Sequence, residues 1–239
     1  RSRIIDITHD LPPFSISSAA FLNDWSYGYF PVGTIHLCVV DPGVGTRRRI
    51  LVVEHAGHQF VAPDNGLLTP LFFQEEIQVY HAVNDRYWLD TISQTFQGRD
   101  IFSPIAAHLA NGIPASAMGD LIDNPIRLHI QPPKVEHGMI DCHIRYIDRF
   151  GNLITDLDRK TFERWSEECG CKDHEIILLF QDQCIEGISH AYGERKYGEL
   201  VAIFNGYNRL EIAIVGSNAA ITTGLGLDAS IKICASWVV

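Results

Sequence analysis

Apolar residues fall in short blocks along the first half of the chain, and the block lengths set the expected elements. Ile4–Thr8 reads as a strand that His9-Asp10-Leu11-Pro12-Pro13 breaks. From Ser15 to Trp25 the apolar positions Ile16, Ala19, Ala20 and Leu22 follow helical register, with Ser15 or Ser17 as N-cap. A buried strand over Ile35–Val40 stops at Asp41-Pro42. Ile50–Glu54 and Gln59–Val61 read as a hairpin turning at Ala56-Gly57. Ala62-Pro63-Asp64-Asn65-Gly66 is a strong turn signal, Leu67–Phe73 is short and apolar, and Ile77–Val83 reads as a further strand. An amphipathic helix is expected over Ile101–Ala110, with Asp100 as its N-cap and Asn111-Gly112 as its end.

This mixture predicts an α/β layer up to about Leu128. Gln131-Pro132-Pro133-Lys134 is the linker candidate, because consecutive prolines hold an extended segment. Beyond it the pattern changes to short strands separated by turns: Gly138–Ile147, Ile176–Phe180, Leu200–Phe204, Leu210–Ile214 and Ile231–Trp237, with one helix over Lys160–Glu168. Such spacing predicts a small β-barrel or sandwich. The domains are therefore expected at 1–131 and 132–239.

Composition narrows the function classes. With 239 residues, 46% of them hydrophobic, the chain can fill a proper core. A formal charge of -10 argues against nucleic acid or an anionic membrane as the main partner and suits a cationic or zwitterionic small ligand. The 6 cysteines form no C-x-x-C pair, so neither a zinc site nor a disulfide framework is indicated. Free thiols in a reducing cytoplasm are expected instead. No apolar run reaches membrane-span length.

The candidate chemistry centres on Val39-Val40-Asp41-Pro42-Gly43-Val44-Gly45-Thr46-Arg47-Arg48-Arg49. A carboxylate stands at the C-terminal end of a strand, where ligands bind in open α/β sheets, with arginines close behind. Asp-Pro-Gly is also an ordinary turn sequence, and locally that reading is the stronger one. The stretch is not a phosphate loop, since the Gly-Lys-Ser/Thr ending is missing. A metal site assembled from Asp6, His9, Asp41 and Asp64 has no recognised motif spacing.

Six stretches, taken in order, decide between these readings: Asp6-Ile7-Thr8-His9, Val39–Thr46, Ala62–Thr69, Thr95–Ala110, Tyr146–Thr155 and Leu210–Ala220. Together they resemble the S-adenosyl-L-methionine hydroxide adenosyltransferases, relatives of the fluorinating and chlorinating enzymes. The resemblance implies an α/β N-terminal domain with a central sheet flanked by helices, followed by a small all-β barrel. It further implies a homotrimer whose ligand lies between the N-terminal domain of one subunit and the C-terminal domain of its neighbour. The implied reaction is attack of water on the ribose C5', releasing L-methionine and leaving adenosine, with no metal and no cofactor.

In family terms the water is held by an aspartate, an arginine and a histidine. The first two map onto Asp41 and Arg48, and the third position is Gln97, which can orient a water but cannot take its proton at neutral pH. The resemblance assigns ligand contacts to Phe14, Phe150 (stacking on adenine), Asn152, Asp148 (holding the methionine ammonium), Asn205, and the backbone near Asn218 and Ala219. Without it, Phe150 reads as a buried barrel aromatic, His9 and His108 as structural histidines, and Asp64-Asn65 as a structural turn. The family also carries an earlier strand and a Thr-Asp-Phe-Gly turn whose aspartate meets the ribose hydroxyls, and this chain starts after it. Two other functions stay open: a protein that binds the nucleoside or cofactor without turnover, favoured by Gln97, and halide transfer. The insertion associated with the halogenating branch is absent between Val53 and Ala62.

Overall fold

A computed structural model describes residues 2–238 and divides them into two units, one up to His129 and one from Ile130. In the first, helix α1 (Ile16–Tyr27) precedes strand β1 (Ile35–Leu37), the hairpin β2 (Ile50–His55) and β3 (His58–Pro63), strand β4 (Gln78–His81) and helix α2 (Ser103–Ala110). The sheet order is β1-β3-β2-β4, with β1 parallel to β3 and the other pairs antiparallel. Ala56 and Gly57 both take positive φ, 49° and 77°, as the tight hairpin requires. Successive residues of β2 point to opposite faces, and this splits the core in two. Ile50 and Val52 pack with Ile101, Phe102 and Ile105 on the α2 side, whereas Leu51 and Val53 pack with Ala19, Leu67 and Leu71 on the α1 side. The sheet is thus flanked by helical structure on both faces.

Three expectations in this unit are corrected. Ile4–Thr8 forms no strand: nothing hydrogen-bonds to it in a ladder, and Ile4 and Ile5 are exposed. The strand expected over Ile35–Val40 is confined to Ile35–Leu37, and only Cys38 N–H extends the pairing, to the Val61 carbonyl at 2.9 Å. Asp100 does not cap a helix from outside. It lies inside a π-helical turn, Gly98–Phe102, that runs straight into α2.

In the second unit the strands are β5 (Lys134–Glu136), β6 (Met139–Ile147), β7 (Leu153–Asp158), β8 (Ile176–Phe180), β9 (Gln183–Glu186), β10 (Leu200–Phe204), β11 (Arg209–Ile214) and β12 (Ser230–Ala235). They form one antiparallel sheet in the order β10-β11-β7-β6-β12-β8-β9, with β5 on β6. A bridge between Ser189, just after β9, and Ile203 in β10 nearly closes it into a barrel. Ile140, Cys142 and Ile144 alternate inward from β6 to meet Leu178, Leu210 and Ile233. Helix α3 (Arg159–Cys169) buries Phe162 and Trp165; Asp158 accepts the Thr161 N–H at its start, and Gly170 ends it in the left-handed region. A short helix, α4 (Ala219–Thr223), follows β11.

Candidate functional site

The stretch after β1 folds as a compact loop. Val44 N–H returns to the Asp41 carbonyl and Thr46 N–H to the Gly43 carbonyl, so the chain doubles back and brings Arg48 onto Asp41. Arg48 Nε donates to both carboxylate oxygens, at 3.0 and 2.9 Å, and Nη2 donates to Oδ2. Both side chains are nearly buried, at 8% exposure for Arg48 and 5% for Asp41. Phe102, fully buried, lies under the guanidinium with its ring centroid 5.0 Å from Cζ. Gly45 has a specific reason to be glycine: its φ is +79°, and a Cβ there would stand 2.7 Å from the Gln94 carbonyl oxygen.

That close approach lays the loop against the segment carrying Gln97. Gln97 Oε1 accepts from Arg48 Nη2 at 2.5 Å, so one guanidinium joins all three expected water-holding residues. Behind it the π-helical turn is fixed by Asp100, whose buried carboxylate takes the Ser93 N–H at 2.8 Å and pairs with Arg99 at 2.6 Å. The hydrogen bond from Arg99, helped by the Ser93 amide, holds the Asp100 carboxyl below its ordinary range. The remaining arginines of the loop separate in role: Arg47 is exposed and Arg49 pairs with buried Asp64.

Asp41 also borders a cavity of about 380 Å³ within the first unit, lined by Thr8, His9, Phe14, Asn23, Cys38 and Val39 among others. Phe14 takes a positive φ of 66° and is exposed, so its ring is offered to this space rather than to the core. Burial pushes the Cys38 thiol up to about 12, which keeps it protonated and donating to Asn23 Oδ1. His9 is exposed and lies 3.3 Å from Asp6, and His108 packs edge-on to Tyr87. Among the described residues no cluster of His, Cys, Asp or Glu is placed to hold a metal ion, the cysteines are free thiols, and no helix is long and apolar enough to cross a membrane.

The remaining candidates gather in the second unit. Asp148 Oδ1 accepts the N–H groups of Phe150 and Asn152, both at 2.9 Å, and Oδ2 accepts Asn152 Nδ2 at 3.1 Å; the carboxylate therefore shapes its own loop. Phe150 projects from it at 62% exposure, so the barrel-core reading is wrong for this ring. Gly151, at φ +84°, lies so close to the Asn218 amide that a Cβ would fall 2.1 Å from Asn218 Cγ, and its carbonyl takes the Ala220 N–H. The loop at 148–152 and the start of α4 thereby bring Phe150, Asn152 and Asn218 together, while Ala219, expected beside them, is fully buried in the core of this unit. Asn218 Oδ1 caps α4 through the Ile221 N–H. Asn205 folds its own turn and donates to buried Glu211 at 3.1 Å, while Tyr192 donates to the same carboxylate at 2.6 Å. Burial pushes the Glu211 carboxyl up, and these two hydrogen bonds oppose the shift.

Comparison with known proteins matches both units. Residues 1–119 fit the model of the SAM hydroxide adenosyltransferase N-terminal domain and residues 142–232 that of the C-terminal domain. A protein of Thermus thermophilus named (R)-S-adenosyl-L-methionine hydrolase is 31% identical over 231 residues, covering 93% of this chain and 84% of its own length. The chain belongs to the SAM hydroxide adenosyltransferase family. A crystal structure of an uncharacterized conserved protein from Thermotoga maritima superposes with a TM-score of 0.89 at 30% identity, covering 98% of this chain and 89% of that one. A fluorinase of Actinoplanes sp. is more distant, at 25% identity over 190 residues, 67% of this chain and 63% of that protein.

In this family member Asp41 and Gln97 are brought together through the Arg48 guanidinium. Two further residues support them: Phe102, to which the sequence assigns no role and whose ring lies under the guanidinium, and Asn65, expected only as part of a structural turn, whose Nδ2 donates to the Val40 carbonyl at 2.9 Å beside Asp41. Asn65 had a signal in the sequence, since it falls in one of the six ordered stretches. Phe102 had only the helical phase that puts it on the buried face.

Proposed function

We propose that this protein hydrolyses S-adenosyl-L-methionine to adenosine and L-methionine. The observation that carries the reading is the single guanidinium, Arg48, held between the Asp41 carboxylate and the Gln97 amide. A water seated against this group has a carboxylate to accept one of its protons and cationic N–H groups to stabilise the oxygen as negative charge grows on it. The family membership and the relatives named as hydrolases supply the substrate class.

The step balances without further reagents. The water oxygen forms a bond to ribose C5' as the C5'–S bond breaks in line; sulfur keeps the electron pair and leaves as a neutral thioether. The excess proton on oxygen passes to Asp41 and then to solvent. A hydroxide-like nucleophile and a sulfonium cation both lose their charge on the way, so exclusion of bulk water favours the reaction. Gln97 contributes orientation alone, since an amide accepts no proton at neutral pH.

In this reading Phe14 meets the ribose or adenine, Phe150 stacks on adenine beside Asn152, and the backbone at Asn218 and Ala219 lies near its edge. Asp148 and the Asn205 turn receive the methionine end. The enzyme is a cytoplasmic homotrimer that uses no metal and no cofactor, with each site shared by neighbouring subunits; light scattering of the purified protein giving a monomer would refute the assembly. Gln97 favours a second reading, a protein that binds the ligand unchanged. Calorimetry with S-adenosyl-L-methionine and chromatography of the same sample separate the two: tight binding with intact ligand supports the binder, and stoichiometric adenosine supports the hydrolase.

A further inference from the structure

The loop that carries Asp41 and Arg48 has two feet, and both rest on the Pro63–Gly66 turn. At the first foot, Asn65 Nδ2 donates to the carbonyl of Val40, the residue before Asp41, at 2.9 Å. Asn65 Oδ1 meanwhile accepts the Leu67 N–H at 3.2 Å, which fixes the side chain's orientation within its own turn. At the second foot, Asp64 holds Arg49, the residue after Arg48. Its backbone N–H donates to the Arg49 carbonyl at 3.0 Å, and its Oδ2 accepts from Arg49 Nε at 2.6 Å. Asp64 is itself anchored, through Oδ1, by the Ile126 N–H at 2.8 Å, and Arg49 is braced by the Asn124 side chain at 2.7 Å and its carbonyl at 2.6 Å.

We propose that Asn65 and Asp64 are positioning residues, holding both ends of the 41–48 loop so that Asp41 and Arg48 stay in bidentate register. Between these feet β1 gives little support, since it ends at Leu37 and only the Cys38 N–H continues its ladder. The Val40 side chain packs against the core on the α1 side, and the bond from Asn65 fixes its carbonyl and so the direction in which the Asp41 carboxylate leaves the strand end. Neither positioning residue touches the reacting atoms; each acts through the loop. Asn65 is the informative one to change, because Asp64 is a buried ion-pair partner whose loss threatens the fold itself.

The kinetic part of the test rests on the hydrolase reading, so the experiment pairs it with a readout that does not. In Asn65→Ala and Asn65→Asp, the Arg48 side-chain Nε–H resonance is followed by nitrogen-edited NMR, assigned by its disappearance in Arg48→Lys, together with kcat and KM for S-adenosyl-L-methionine. Asn65→Asp keeps the acceptor for Leu67 but loses the donor to Val40. Both variants are expected to exchange the Arg48 Nε–H about tenfold faster or more than the parent, and to lose about 10- to 100-fold in kcat with KM changed less than about threefold. A turn that is only structural would leave the folded Asp variant with parental exchange and kcat, and that result overturns the proposal. If the parent itself shows no turnover, the hydrolase reading fails, while the Arg48 resonance still decides whether Asn65 holds the loop.

Discussion

Removing the guanidinium of Arg48 tests the site as both a structural pair and a chemical one. In Arg48→Met the side chain keeps similar length and apolar contact with Phe102, but the Asp41 carboxylate, 5% exposed, loses the donor of three hydrogen bonds. Stranding one member of a buried pair costs about 3–5 kcal/mol, and at roughly 2–4 °C per kcal/mol for a chain of this size the melting temperature should fall by on the order of 10 °C. Asp41→Asn in the same background removes the stranded charge, so the double variant should recover most of that loss. The double-mutant cycle is expected to show a coupling of about 2 kcal/mol or more, read by urea unfolding and calorimetry. Turnover must behave differently. If the two residues handle the water, the double variant stays inactive after its stability returns. Additive single-variant losses, or a stable double variant with near-parental kcat, would refute the argument.

Other outcomes follow from the same geometry. Gln97→His restores a titratable group beside Arg48; kcat should rise, and the pH–rate profile should gain an inflection in the histidine range that the parent lacks. A silent substitution in an active parent would mean that position 97 is not the third water-holding residue. Acid should weaken the first unit through His36, which is buried on β1, hydrogen-bonded to His58 at 3.1 Å, stacked on Phe60 and close to Tyr27. Burial, and then the neighbouring His58, pushes His36 from 6.5 down to about 4. Because the unfolded chain takes the proton first, stability is complete above pH 6.5 and is lost as pH falls towards 4. With solvent screening, this shift, part of which comes from His58, is worth on the order of 1–2 kcal/mol at pH 5. Unfolding free energies measured at pH 7.5 and 5 should differ less in His36→Phe than in the parent, and an equal difference would exclude His36 as the source.

The legible parts of this fold are those where local chemistry and tertiary packing agree. The β2–β3 hairpin shows itself through alternating apolar residues around Ala56-Gly57, and α3 through its apolar face, with the flanking Asp158 and Gly170 capping it as such residues commonly do. Strand β7 hides because Thr155 and Asp156 look like loop residues. Both are buried, Thr155 donating to the Leu210 carbonyl and Asp156 accepting from Arg145 at 2.8 Å, so polarity is satisfied inside rather than exposed. Ile4–Thr8 misleads in the opposite sense: apolar composition makes no strand without a neighbour to pair with. The start of α2 as a π-helical turn follows from Asp100 being pulled inward by Ser93 and Arg99, which no periodicity shows. At the site, Asp41-Pro42-Gly43 alone favoured a plain turn, and the spacing from Asp41 to Arg48 says nothing of contact until the loop doubles back. Only the ordered companion stretches brought Gln97, 49 positions beyond Arg48, to the same guanidinium.

The central claim is tested most directly by incubating the purified protein with S-adenosyl-L-methionine, quenching at intervals and resolving the products by chromatography. Adenosine and L-methionine should appear in equal amounts and at a rate proportional to enzyme, with oxygen from labelled water carried at the adenosine 5' position and none of this in Asp41→Ala. Unchanged substrate, a 5'-halogenated nucleoside in the presence of halide, or adenosine whose 5' oxygen is not drawn from water would contradict it.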